Sequence, residues 1–315
     1  MPNHNGISLS EALYSSRGRS DLPLSQQLVA DVLDHLQGDH DALKASSLTC
    51  RKWVHRCRYH LFPRLCLSPD RPLDKIAEFF DILSSKLCTI HSAPRMLFIY
   101  SPNHQWISWG GRPERVQGSE GWLEPLIPIL DKLTSVTELI GWEITTWHTR
   151  KTWQRLLQIT SFTSRITNLT LMGNKYTSID PFLGSLYCFA SLQHLQTDTP
   201  SLNLSMSCNA SLKNKLGAPN GQEANTLVPL HNLRILTICD ATSEPLTGSW
   251  GQSMWRWLLT SGTRLSQIHL GTITIINQDK STKKLREFSR YLQFLGPSLQ
   301  KLQIFINGDP LATCE

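Results

Sequence analysis

Charge is scarce in this sequence. Asp, Glu, Lys and Arg make up 18% of the 315 residues, and 31 basic against 25 acidic residues leave a formal charge of +6. Chains that live on nucleic acid concentrate basic charge more strongly, so no nucleic-acid partner is expected. Long apolar runs are missing too. None approaches the ~18 residues of a membrane span, and residues 1–20 lack the apolar core of a secretory signal. The expectation is a cytoplasmic or nuclear protein with no membrane partner, whose thiols stay reduced. Its eight cysteines (Cys50, Cys57, Cys66, Cys88, Cys188, Cys208, Cys239, Cys314) include no CxxC pair. Most sit among apolar residues and read as small core hydrophobes. In a reduced compartment the N-x-[ST] sequons at Asn168, Asn203 and Asn209 are chance matches.

Catalytic signatures are absent as well. There is no GxSxG, no P-loop, no HExxH and no GxGxxG. The Gly110-Gly111 piece within 108–112 has no phosphate-loop lysine and reads as a turn. One metal alternative uses Cys50, His55, Cys57, His60 and Cys66. At ~100° per residue His55 and His60 lie about 140° apart on a straight helix, so one ion cannot collect both. The sequence therefore predicts no enzyme, no metal and no cofactor.

Patterning divides what is present. Residues 1–20 are polar and read as a disordered tail. Residues 21–66 form a compact helical segment, and the stretch LSPDRP (67–72), with two prolines, marks a boundary. Residues 72–315 repeat one theme, an apolar helix-like stretch followed by a short strand. The strand pattern L-x-x-L-x-L, with substitutions, starts at Val136, Ile166, Leu192, Leu233, Leu265 and Leu299, and a weaker copy runs Met96-Leu-Phe-Ile99. From Val136 the starts fall 30, 26, 41, 32 and 34 residues apart. Intervals of this size mark a solenoid, and L-x-x-L-x-L is the strand core of leucine-rich repeats, here longer and degenerate. The long interval holds a polar, Gly/Asn-rich loop insertion at 205–226. Helix candidates precede the strands at Ile76, Ala77, Phe80, Leu83 and Leu87, at Leu123 to Leu133, at Trp153 to Ile159, at Phe182 to Phe189, at Trp255 to Leu259, and at Leu285 to Leu295.

In the helical segment, Leu28, Val32, Leu33 and Leu36 share one helical face, with Ser25 at its start and Gly38 after its end. Asp41 is placed to cap a second helix that carries Leu43 and Leu48. On a third helix Trp53, Val54, Cys57 and Leu61 fall within about 60° of Cys50, while Arg51, Lys52, Arg56 and Arg58 fall outside that arc. A nucleic-acid reading of this basic face, with Arg64, is less economical than a solvated one, because aromatics for base stacking are sparse there.

These residues carry a resemblance. Leu24 to about Cys66 resembles an F-box through Leu24, Gln27, Leu28, Val32, Leu33 and Leu36, then Ser47-Leu48-Thr49-Cys50-Arg51-Lys52-Trp53. The following Arg58-Tyr59-His60-Leu61-Phe62 is similar to the F-box proteins expanded in mushroom-forming fungi, in which irregular leucine-rich repeats follow the F-box. The family proline aligns with Ser25 and the family glutamate with Gln27. The fold class implied is α/β, a three-helix F-box followed by an irregular solenoid of alternating helices and parallel strands. The function implied is substrate recognition in an SCF-type cullin–RING ubiquitin ligase, with the module docking on the Skp adaptor through Leu24, Ser25, Leu28, Val32, Leu33, Leu48 and Trp53. The alternative is a repeat-based interaction scaffold with no ligase connection.

In L-x-x-L-x-L the fourth and sixth residues face the core and the third and fifth the opposite side of the sheet. Glu138, Asn168, Thr170, His194, Gln196, Thr237, Gln267, His269, Lys301 and Gln303 then form a polar stripe on one face, the expected substrate surface. Among the ten tryptophans, Trp153, Trp255 and Trp257 read as core, whereas Trp142 and Trp147 follow a strand and remain open.

Overall fold

The structure, a computed structural model, describes residues 26–68, 73–100, 123–142, 144, 150–173, 179–198, 230–239, 249–273 and 286–306. The expected tail at 1–20, Leu24, Ser25, the turn at 108–112, Trp147 and the insertion at 205–226 lie outside these residues. The chain divides into two compact units, Met1–Leu61 and Phe62–Glu315.

Among its described residues the first unit contains three helices: α1 (Gln26–His35), α2 (His40–Thr49) and α3 (Arg51–Leu61). Helix α2 starts one residue before Asp41. Its cap is Asp39, whose carboxylate accepts from the Ala42 N–H at 2.9 Å. Asp41 instead pairs with Lys44 one turn on. Leu33, Leu43 and Cys57 form the buried centre, with Val29, Leu36, Trp53 and Leu61 packed around it. The expected Trp53/Cys57/Leu61 stripe therefore packs as the helical spacing requires.

Helix α3 ends at Leu61, and Arg64 to Cys66, placed in the helical segment by the sequence pattern, belong with Leu67 to a strand. It is strand β1 (Arg64–Leu67) of the second unit, with Leu65 and Leu67 buried and Arg64 and Cys66 exposed. Four residues of strict alternation are too few to stand out from a flanking helix in sequence.

The second unit is an α/β structure around one eight-stranded parallel sheet, whose strands neighbour one another in chain order. After β1 come α4 (Leu73–Ser84), β2 (Met96–Tyr100), a 3-10 helix (Glu124–Lys132) and β3 (Glu138–Trp142). Then follow α5 (Arg150–Leu157), α6 (Thr160–Thr163), β4 (Asn168–Met172), α7 (Ile179–Leu186) and β5 (His194–Asp198). The last described elements are β6 (Ile235–Cys239), α8 (Ser249–Thr260), β7 (Gln267–Ile273), α9 (Arg286–Leu295) and β8 (Lys301–Ile306). Every strand expected from the repeat pattern forms, and the sequential order is the one a stacked helix–strand solenoid requires. A backbone hydrogen bond precedes each strand pair from β3/β4 onward in the same place: Thr167 N–H to Thr137 O, Gln193 to Thr167, Arg234 to Gln193, Ser266 to Arg234 and Gln300 to Ser266, all at 2.8 Å.

One continuous core lies between the buried sheet face and the helices. Along β2, β3, β4 and β6 inward residues alternate with half-buried outward ones. The helix candidates hold with two adjustments. Leu87 lies beyond the end of α4 and is 89% exposed. The segment before β3 is a 3-10 helix; in an α-helix the Pro128 ring would clash with the Glu124 carbonyl four residues back.

Gly141 stands at an inward position of β3, paired with Ile99 and Leu171. A Cβ there would come within 2.3 Å of Ile144 Cδ1 and 3.3 Å of Leu171 Cδ2. The glycine is what lets Ile144, 1% exposed, fold back over the strand. Replacing Gly141 with valine is expected to destabilise the second unit by about 1–3 kcal/mol through overpacking, read as a lower urea midpoint. An unchanged midpoint would show that Ile144 moves aside at no cost.

Candidate functional site

Two surfaces meet the requirements of a binding site, one in each unit. The first is an apolar groove of about 170 Å³ lined by Leu28, Val29, Val32, Leu33, Leu36, Ser46 and Trp53. It forms because the apolar face of α1 is wider than the small core can cover. Leu33 is 2% exposed and serves that core, whereas Leu28 and Val32 stand 49% and 54% exposed. Of the residues expected to anchor a partner, Leu28, Val32, Leu33 and Trp53 therefore converge on one groove. Leu33 contributes its floor, not an exposed anchor. Leu48 is 88% exposed and is not part of the groove lining. Val29, Leu36 and Ser46 complete the lining and were not singled out as partner contacts by the sequence.

The helices around the groove are tied by a polar cluster that sequence reasoning missed. On α1, Asp34 receives two bonds from the Arg56 guanidinium of α3, including Nε to Oδ1 at 2.6 Å. His60 Nε2, one turn further on and buried, donates to the same oxygen at 2.8 Å. The hydrogen bonds from Arg56, then those from His60, lower the Asp34 carboxyl from its ordinary value to about 2. Arg56 and His60 lie at i, i+4, so both reach one acceptor, and the fixed fork of Arg56 holds it from two nitrogens. The i, i+4 spacing was legible; the acceptor, 22 and 26 residues away, was not. Among the described residues no cluster of His, Cys, Asp and Glu could hold a metal ion.

The second surface is the outward face of the sheet. Parallel in-register pairing lines its residues up in rows. The first row runs Arg64, Met96, Glu138, Asn168, His194, Ile235, Gln267, Lys301. The second runs Cys66, Phe98, Ile140, Thr170, Gln196, Thr237, His269, Gln303. All ten residues of the expected polar stripe fall in these two rows, exposed or half-buried. Gln196 Nε2 lies 3.1 Å from Cys239 Sγ, and His269 Nε2 lies 3.4 Å from Gln267 Oε1.

The stripe is only half of the face. On β2 and β3 the outward positions are Met96, Phe98, Tyr100, Glu138, Ile140 and Trp142, so apart from Glu138 the face turns apolar and aromatic toward this end. The Phe98 and Tyr100 rings stack with centroids 6.1 Å apart and planes 10° from parallel. Trp142 closes β3 on this outward face and is not a loop residue. The alternation in Met96-Leu-Phe-Ile99 carried this information, but the weaker repeat was not projected onto the surface. Trp153, Trp255 and Trp257 are core residues, as their helical spacing implied.

Comparison of the chain with protein-family models and with curated proteins gives no match. Among the described residues no helix is long and apolar enough to cross a membrane.

Proposed function

We propose that this chain is the substrate-recognition subunit of an SCF-type cullin–RING E3 ubiquitin ligase. Its N-terminal helices act as an F-box that docks on the Skp adaptor, and its degenerate leucine-rich repeats capture a protein substrate in the cytoplasm or nucleus. The chain itself performs no chemistry; it brings the substrate to the ligase. The observation that carries this reading is the open groove on α1. Among the described residues the unit's buried apolar centre is Leu33, Leu43 and Cys57, and Leu28 and Val32 are left about half exposed. Exposed aliphatic anchors beside a half-buried tryptophan are the elements of an interface hot spot. The Ser47–Trp53 segment that resembles the F-box pattern supports the same reading.

The test is direct binding of the full chain to purified Skp adaptor, measured for the wild type and for a Leu28→Asp, Val32→Asp double variant. Both side chains are about half exposed, so these changes spare the unit's own core. Desolvating two carboxylates against an apolar partner is expected to weaken binding at least a hundredfold. A folded wild type that shows no binding at high micromolar adaptor overturns the ligase reading and leaves a repeat scaffold without a ligase connection.

A further inference from the structure

We propose that the β2–β4 end of the outward sheet face captures a peptide segment carrying one basic side chain flanked by apolar ones, with the Glu138 carboxylate as its anchor. This rests on the reading of the repeats as the capturing surface and names the chemistry of what they capture. Glu138 is half-buried, flanked in its row by Met96 and Asn168 and followed on the same face by Ile140, whose row partner is Phe98. No side chain among the described residues hydrogen-bonds or ion-pairs with its carboxylate; the basic group acting on it is Arg64, two strands away beyond Met96. Burial accordingly raises its pKa, against the weaker pull of Arg64.

That arrangement selects among partners. A purely apolar segment laid over Met96, Phe98 and Ile140 would strip water from Glu138 and leave it unpaired, a heavy cost. An acidic segment would add repulsion. A lysine or arginine resolves both problems. Its aliphatic stem packs along Met96 and Ile140, and its charged head meets the carboxylate. The Phe98 ring, on the neighbouring strand one outward position beyond the Met96 that pairs with Glu138, offers a π face to the same cation. Apolar neighbours in the peptide then cover the stacked Phe98 and Tyr100 rings.

The experiment uses the full chain and an array of short synthetic peptides. The central residue is fixed as Arg, Lys, citrulline or Glu, and the flanks are drawn from Leu, Phe, Gly and Ser. Basic centres with Leu or Phe flanks are expected to bind about tenfold or more tightly than their citrulline counterparts, since citrulline keeps the shape and loses the charge. The near-isosteric Glu138→Gln should abolish that preference with an unchanged melting temperature, and Glu138→Arg should shift it to acidic centres. Arg64→Gln separates recognition from a merely structural pairing. It is expected to strengthen binding of basic peptides, whereas a structural Glu138–Arg64 pair would make both variants weaken it. No preference for basic centres, or a preference that survives Glu138→Gln, overturns the proposal. Adaptor binding is read on the same preparations. Intact adaptor binding without the basic preference overturns this inference alone. Basic preference without adaptor binding overturns the ligase reading alone.

Discussion

Trp255→Ala is expected to destabilise the repeat unit by about 3 kcal/mol, at the low end of the range for a buried aromatic. Trp255 is fully buried on α8. Its ring packs against Phe288 at 4.7 Å and Tyr291 at 5.9 Å, both on α9, so it joins two successive helices of the stack. The low end follows from the indole N–H, which has no acceptor among the described residues. Truncation removes that unsatisfied donor along with the ring, and the two effects oppose each other. Trp255→Phe separates them. It keeps an aromatic ring in place and removes the orphan donor, and is expected to cost only about 1 kcal/mol. Chemical unfolding of the three proteins gives both differences. A phenylalanine variant as unstable as the alanine one would show that the indole N–H is bonded after all. Helix–strand units stacked in chain order transmit such damage to their neighbours, because each packs mainly against the next.

Asp34→Asn is expected to cost the N-terminal unit about 1–3 kcal/mol. Asparagine keeps the shape of the side chain but has one carbonyl oxygen where three donor bonds now converge. Buried His60 is then left with a weaker acceptor and Arg56 without its ion pair. The effect also carries a pH signature. The folded-state pKa of Asp34 is depressed to about 2. A depressed carboxylate contributes stability that is present above its unfolded value near ~3.9 and is lost as pH falls toward 2. Because the Asp34 and Arg56 side chains are each 38% exposed, solvent screens the pair, and that contribution is about 1–2 kcal/mol. The difference in stability between wild type and variant, followed by circular dichroism of the helices, should therefore shrink between about pH 4 and pH 2. A difference constant over that window would mean that the charge of Asp34 adds nothing beyond its shape.

The strands were legible because L-x-x-L-x-L writes its own burial. Leu169 and Leu171, or Leu236 and Ile238, alternate with polar or smaller residues, and a period of two has one structural meaning. The helices were legible from Phe80 and Leu83, or Trp255 and Leu258, recurring at helical spacing. Strand β1 was not legible, since Leu65 and Leu67 are too few to outweigh the helix before them. The 3-10 geometry before β3 was signalled by Pro128, but an apolar pattern alone does not distinguish it from an α-helix. The candidate groove was half legible. Leu28 and Val32 share a helical face with Leu33, yet nothing in their spacing says which of them stays in water.

By itself the sequence determined the periodicity, and with it the α/β class, the alternation of helix and strand, and the identity of the outward stripe from Glu138 to Gln303. These follow from local geometry, in which a side chain's direction depends on its position in a helix or a strand. Only the tertiary structure decided what comes together across distance. It set the row that gives Glu138 Met96 and Asn168 as neighbours, the partnership of Asp34 with Arg56 and His60, and the exposure of Leu28 beside a buried Leu33. Register between strands and the choice of acceptor for a charged side chain depend on how segments dozens of residues apart pack. Chain-local patterns carry no record of that packing.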